Sequence, residues 1–198
     1  GIAVAGAHGK TTTTSMIAKI LEEHGLDPSF LIGAELQDSS FGAQLGSGEY
    51  FVAEADESDA SFLQLNPYVA IVTNVEDDHL EFYRSMDRLK DAFRQFISQV
   101  KTGGFAILYH DDPFLRSLKD DFRHLIYYGS TPDACYHYSN LKNNGWGSSF
   151  AVHHHGEYQG TIVLSIPGYH NVLNALAATA VANELGIPFK VIKEALLC

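Results

Sequence analysis

The stretch Gly6-Ala7-His8-Gly9-Lys10-Thr11 brings two glycines, a lysine and a hydroxyl together directly after the apolar run Ile2–Ala5. Those residue types in that order suit a phosphate. Glycines let backbone N–H groups turn towards phosphate oxygens, and a following helix adds the positive end of its dipole. Lys10 can reach the β- and γ-phosphates, the Thr11 hydroxyl can ligate Mg2+, and Thr12 adds a second hydroxyl to the first helical turn. The spacing is unusual. A standard P-loop has its first glycine five residues before the second, which here is Val4; the glycine falls at Gly6 instead, so the loop is two residues short. The plain alternative is a tight strand-to-helix turn with an exposed lysine.

Three further stretches carry chemistry. In Phe51-Val52-Ala53-Glu54-Ala55-Asp56-Glu57-Ser58-Asp59 a buried strand runs into four acidic residues. Ligands of open α/β sheets sit at the carboxyl ends of strands, and Glu54 falls at such an end, where it could share a metal with the loop hydroxyl. A solvated acidic loop is the alternative for the cluster as a whole. The strand read over 68–73 leads into Glu76-Asp77-Asp78-His79, and His79 could ligate a metal or act as an acid or base; alone, it also fits a loop histidine with a satisfied hydrogen bond. Asn171 and Asn174 lie one helical turn apart, presenting two amides on one side, which suits the edge of an adenine; spacing alone favours helix capping by Asn171 instead. His153 and His155 would share one face of a strand, but with no third ligand in view a solvated edge strand is the simpler reading.

The elements that must position these residues alternate. Runs at Ile2–Ala5, 29–32, 50–53, 68–73 and Phe105–Tyr109 read as strands, and 10–24 and 87–100 as helices, the second with Leu89, Phe93, Phe96, Ile97 and Val100 on one face. Alternation of this kind implies βαβ units and a parallel sheet. After Pro132 short alternating strands over 134–139, 149–155 and 160–166 surround the turn Asn143-Asn144-Gly145, and helices over 171–185 and 188–197 follow. The expected fold is therefore α/β: a doubly wound, mostly parallel sheet of the P-loop type flanked by helices, with a small antiparallel part in the C-terminal half. At 198 residues with 45% hydrophobic content, one substantial domain is expected over 1–198. Net charge −11, from 24 acidic against 13 basic residues, argues against nucleic acid or anionic membranes as partners. Cys135 and Cys198 have no metal or redox spacing, which suits a reducing compartment, and neither a signal peptide nor an 18-residue apolar run is present. A first residue already in a strand and a last one in an uncapped helical pattern suggest a domain excised from a longer protein.

In order and separation, "GAHGKTTTTSM", "EADESDASFL", "VAIVTNVEDDH" and "PGYHNVLNALAATAVA" resemble the central domain of the Mur ligases, ATP-dependent amide-forming enzymes of peptidoglycan precursor synthesis. The short loop is shared with the wider family, including folylpolyglutamate synthetase; the acidic segment is the more specific signal and is most similar to the L-alanine-adding branch. Ala7 departs from the family's usual threonine. The resemblance implies ATP and Mg2+ as cofactors, UDP-N-acetylmuramate and L-alanine as substrates, an acyl phosphate on the lactyl carboxylate, and a cytoplasmic enzyme. It implies that Gly6, Ala7, His8, Gly9, Lys10, Thr11 and Thr12 hold the phosphates, that Thr11, Glu54 and His79 hold metal, and that His170, Asn171 and Asn174 contact adenine, which reverses the capping preference. Lys10, Glu54 and His79 would be the catalytic set. Other branches place a carbamylated lysine in the helix after the metal-binding histidine; only Lys90 is available, out of a defined register, and takes no such role here. The flanking UDP-sugar and C-terminal domains of the family would lie outside this chain. Two alternatives stand: a murein-peptide ligase joining a recycled tripeptide to the same UDP-sugar, and a non-catalytic ATP-binding module.

Overall fold

In the computed structural model, residues 1–33, 42–77, 80–143 and 145–197 are described. Ten strands among them form one sheet: β1 (Ile2–Ala5), β2 (Ser29–Leu31), β3 (Ala43–Gln44), β4 (Phe51–Glu54), β5 (Val69–Val72), β6 (Phe105–Tyr109), β7 (Leu125–Gly129), β8 (Tyr136–Asn143), β9 (Ser148–His154) and β10 (Glu157–Leu164). The helices are α1 (Lys10–Glu23), α2 (Leu80–Tyr83), α3 (Met86–Ser98), α4 (Pro113–Ser117), α5 (Tyr169–Glu184) and α6 (Phe189–Leu196). The spatial order is β10-β9-β8-β7-β6-β5-β1-β4-β2-β3. Pairing is parallel from β2 through β8, and antiparallel for β8–β9, β9–β10 and the short β2–β3 pair. The expected doubly wound sheet with an antiparallel C-terminal part is what forms.

Strands covered by helices on both faces must be apolar throughout, and β1 and β5 are buried at every position. Their alternate residues feed two separate cores. Ile2, Val4, Val69 and Ile71 face α1, α5 and α6, where α5 supplies small residues such as Ala175, Ala177 and Ala178. Ala3, Ala5, Ala70 and Ala106 face the other way, and the room they leave is filled by Phe62, Phe93 and Phe96. Large side chains thus meet small ones on each face, as close packing requires. Helix α3 is amphipathic, burying Leu89, Ala92, Phe93, Phe96 and Ile97, and Ser85 caps it by accepting from Arg88 N at 3.3 Å. Helix α5 is buried almost all round from Val172 to Ala182 because it lies between the sheet and α1.

Several bounds differ from those expected. The strand expected over 50–53 runs Phe51–Glu54, so Glu54 is its last residue. The helix expected from 171 begins at Tyr169, with Gly168 rather than Asn171 at its N-cap. β7, α4 and β3 were not expected. β9 ends at His154, and His155 sits in the turn at φ 49°, so His153 and His155 do not share a strand face. Nor is β9 an edge: it lies between β8 and β10, and the His153 ring stacks on His137 with centroids 4.7 Å apart. Asn144 of the expected hairpin turn and Cys198 lie outside the described residues. Among the described residues no helix is long and apolar enough to cross a membrane.

Candidate nucleotide site

The chain reverses its direction of winding at β1, whose neighbours β4 and β5 lie on opposite sides, and the carboxyl edge there is where such sheets take ligands. The predicted loop occupies that edge. From Ala5 the backbone turns through Gly6 (φ 128°) and Gly9 (φ 84°) into α1. A Cβ on Gly6 would collide with the Thr73 hydroxyl and the Asn74 backbone, so the end of β5 is pressed against the loop. Thr73 Oγ1 donates to His8 O at 2.6 Å, His8 N donates to Asn74 Oδ1 at 2.9 Å, and Asn74 Nδ2 donates to His8 O at 3.2 Å. A Cβ on Gly9 would collide with the Asn174 side chain from the first turns of α5. The loop is therefore clamped on one side by β5 and on the other by α5.

Helix α1 starts on Gly9 with no capping side chain and no acidic residue in its first turn. The first-turn N–H groups, those of Lys10, Thr11 and Thr12, are left for an external acceptor, and an anion is what the dipole favours there. Lys10 Nζ donates to Gly6 O at 2.7 Å and to both carboxylate oxygens of Glu57, at 3.0 and 3.1 Å. Thr11 is half-buried beside it, its carbonyl accepting from Ser15 Oγ at 2.8 Å. Glu54 Oε1 accepts from Gly33 N at 3.0 Å, which fixes the carboxylate at the β2–β4 edge.

Two clefts flank the loop. One, of about 500 Å3, is lined by His8, Gly9 and Thr12 of the loop, by Thr73, Asn74 and Glu76 after β5, by Tyr109 and Tyr128, and by Tyr169, His170, Asn171, Leu173 and Asn174 of α5. Burial pushes the Tyr109 hydroxyl up to about 12 and raises Tyr128 and Tyr169 as well, so all three stay neutral donors beside the cleft. Asn171 donates from Nδ2 to Pro167 O at 2.7 Å, which orients its amide, and Asn174 is buried, 8% exposed. The other cleft, of about 520 Å3, is lined by Ala7, Lys10, Leu31, Gly33, Glu54, Asp56 and Ser58. Of the residues expected to hold the phosphates, His8, Gly9 and Thr12 line the first cleft with His170, Asn171 and Asn174, whereas Ala7 and Lys10 line the second with Glu54, and Gly6 and Thr11 line neither. His79 lies outside the described residues. Among the described residues no three His, Cys, Asp or Glu side chains converge as a metal site. The donors at hand, the Thr11 hydroxyl and the Glu54 carboxylate, are hard oxygens of the kind Mg2+ takes.

Sequence reasoning missed the brace from Thr73 and Asn74, the Glu57 partner of Lys10, and the tyrosine lining. Tyr109 carries a local signal, being the aromatic last residue of a buried strand; the Lys10–Glu57 pairing spans 47 residues and has none.

An α/β sheet with a glycine-clamped, uncapped helix start at its switch point defines a nucleotide-binding domain of the P-loop type. The Mur ligase middle domain matches residues 4–182, and the chain belongs to that family. A UDP-N-acetylmuramate–L-alanine ligase of Syntrophomonas wolfei is 52% identical over 199 residues, covering 98% of this chain and 43% of the relative. The crystal structure of the UDP-N-acetylmuramate–alanine ligase MurC from Thermotoga maritima matches with a TM-score of 0.86 at 30% identity, over 98% of this chain and 44% of that one. The UDP-N-acetylmuramate:L-alanyl-γ-D-glutamyl-meso-diaminopimelate ligase of Neisseria meningitides matches with a TM-score of 0.85 at 29% identity, over 98% and 64%. The chain spans less than half the length of the curated relative it matches.

Proposed function

We propose that residues 1–198 are the central ATP-binding domain of a ligase that joins L-alanine to the lactyl carboxylate of UDP-N-acetylmuramate through an acyl phosphate, in peptidoglycan precursor synthesis. The UDP-sugar domain and the C-terminal domain of that ligase lie outside this chain. The observation that carries the reading is the uncapped start of α1, with Lys10 and Glu54 beside it, in a chain 52% identical to an alanine ligase. Backbone N–H groups of the first turn and Lys10 take the phosphate oxygens of ATP. His170, Asn171 and Asn174 take its adenine, with Asn174 held against Gly9. Thr11 and Glu54 would hold one Mg2+, and Glu54 with His79 a second. The metal supplies positive charge where a carboxylate and a phosphate, both anionic, must meet. Gly33 orients Glu54 for that role, and the brace from Asn74 keeps the loop in place between turnovers. Substrates of this kind place the enzyme in the cytoplasm, and the net charge of −11 sets nucleic acid aside as a partner.

The test is ADP release by the full-length enzyme with UDP-N-acetylmuramate and, in turn, L-alanine, L-serine, glycine and the tripeptide L-alanyl-γ-D-glutamyl-meso-diaminopimelate. L-Alanine should give the highest kcat/KM. A preference for tripeptide would move the assignment to a murein-peptide ligase, and ATP binding without amide formation from any of them would leave an ATP-binding module. The 198-residue chain alone should show little or no alanine-dependent ADP release.

A further inference from the structure

We infer that Glu57 is a positioning residue that competes with the nucleotide for Lys10 and so sets how tightly the loop holds ADP and ATP; this rests on the nucleotide reading above. An ammonium group has three donors, and all three of Lys10 are engaged, one by Gly6 O at 2.7 Å and the others by the two Glu57 oxygens at 3.0 and 3.1 Å. A phosphate oxygen can take Lys10 only by displacing one of these partners. Glu57 does not step aside into water, because its side chain is 2% exposed and that of Lys10 15%. The turn that carries it is pinned as well. Tyr83 OH donates to Glu57 O at 2.5 Å and Ala60 N donates to the same carbonyl at 3.3 Å, with Ala60 in the left-handed region at φ 61°.

Two consequences follow for the loop. When it is empty, Glu57 neutralises a lysine that would otherwise be a buried, unpaired charge. When it is loaded, a fixed negative charge about 3 Å from Nζ weakens the pull of Lys10 on phosphate, which favours release of the product nucleotide. Glu54, three residues earlier, does something different: its oxygen is held by Gly33 and it faces the second cleft.

The experiment measures Mg–ADP affinity by titration calorimetry, and kcat and KM for ATP, on the full-length ligase. Glu57→Gln keeps the size and a hydrogen-bond acceptor for Lys10 but removes the charge. Its ADP Kd should fall about tenfold, the scale of a hydrogen bond to a charged group, and the KM for ATP should fall with it. The kcat should also drop, because ADP leaves more slowly. Glu57→Asp keeps the charge one methylene further from Lys10 and should bind ADP about two- to threefold more tightly than the native protein, between native and Gln. Tyr83→Phe loosens the turn without altering any charge and should leave the ADP Kd within about twofold. The inference is overturned if Glu57→Gln unfolds at the native temperature yet binds ADP no more tightly, or if Tyr83→Phe tightens binding as Glu57→Gln does. If Glu57→Gln fails to fold, weaker or equal ADP binding by Glu57→Asp overturns it. Native enzyme that binds no ADP would instead remove the nucleotide reading itself, and this inference with it.

Discussion

Gly9 meets two conditions at once: a left-handed φ of 84° at the N-cap of α1, and an Asn174 side chain pressed against the place a Cβ would occupy. Either condition alone disfavours a side chain; together they make the glycine the joint between the phosphate loop and α5. Gly9→Ala must shift the loop away from Asn174 or push Asn174 out of its buried position, and it also bears the cost of a left-handed non-glycine residue, about 1–3 kcal/mol. The variant should lose about 2 kcal/mol in urea unfolding. Its nucleotide affinity should fall as well, since the first-turn N–H groups and the Asn174 amide move relative to each other. An Ala variant that unfolds like the native chain and binds ADP equally well would show that the loop is not clamped there.

At the scale of elements, what could be read locally was what burial on both faces or glycine chemistry imposes. Ile2–Ala5 and Val69–Val72 announce themselves because no position of either strand meets water. The strand-end carboxylate Glu54 and the two loop glycines were legible for similar reasons. β3 was not, since Ala43 and Gln44 are exposed and form a strand only by pairing with Leu31 and Phe30. α4 did carry its signal, Asp112 as cap with Pro113 at the first position, and it went unused. The Asn74 brace joins residues 66 apart, a proximity that only the parallel pairing of β1 with β5 creates. Pairing also decides which histidines matter. β8 and β9 set His137 opposite His153 with nearly parallel rings, and His137 Nδ1 is buried without a hydrogen-bond partner. Burial first, and then the neighbouring His153, hold His137 below its ordinary value of 6.5, against a backbone contact at Ala134; burial, and then His155, do the same for His154, against Glu184 and Glu157. A folded value below the unfolded one means that the unfolded chain takes protons the folded chain refuses as the pH falls through 6.5. Stability contributed by the neutral rings is thus complete above that pH and is lost below it. The urea midpoint should fall between about pH 7.5 and 5.5, above the range where carboxylates titrate. His137→Phe keeps a ring against His153 and should flatten part of that fall; an unchanged slope would show that the pair does not govern it.

The whole molecule sets a problem that its loop must solve. A chain with 24 acidic and 13 basic residues carries −11, yet the site proposed for it would take a polyphosphate. The attraction is local: first-turn N–H groups and one lysine already shared with Glu57. Beyond the loop the field of the molecule is repulsive to an anion, and at low salt that field reaches further, about 30 Å at 0.01 M against about 10 Å at 0.1 M. Basic phosphate-binding proteins lose association rate as salt screens their attraction. This chain should do the opposite. Stopped-flow association of a fluorescent ADP analogue with the 198-residue chain should quicken as KCl rises from about 20 to 200 mM. The gain should be larger without Mg2+ than with it, because the metal cancels part of the ligand's charge before arrival. Dissociation, governed by contacts at the clamped loop, should change far less. An association rate that falls steeply with salt would mean that the loop's own positive potential, rather than the net charge, controls the approach.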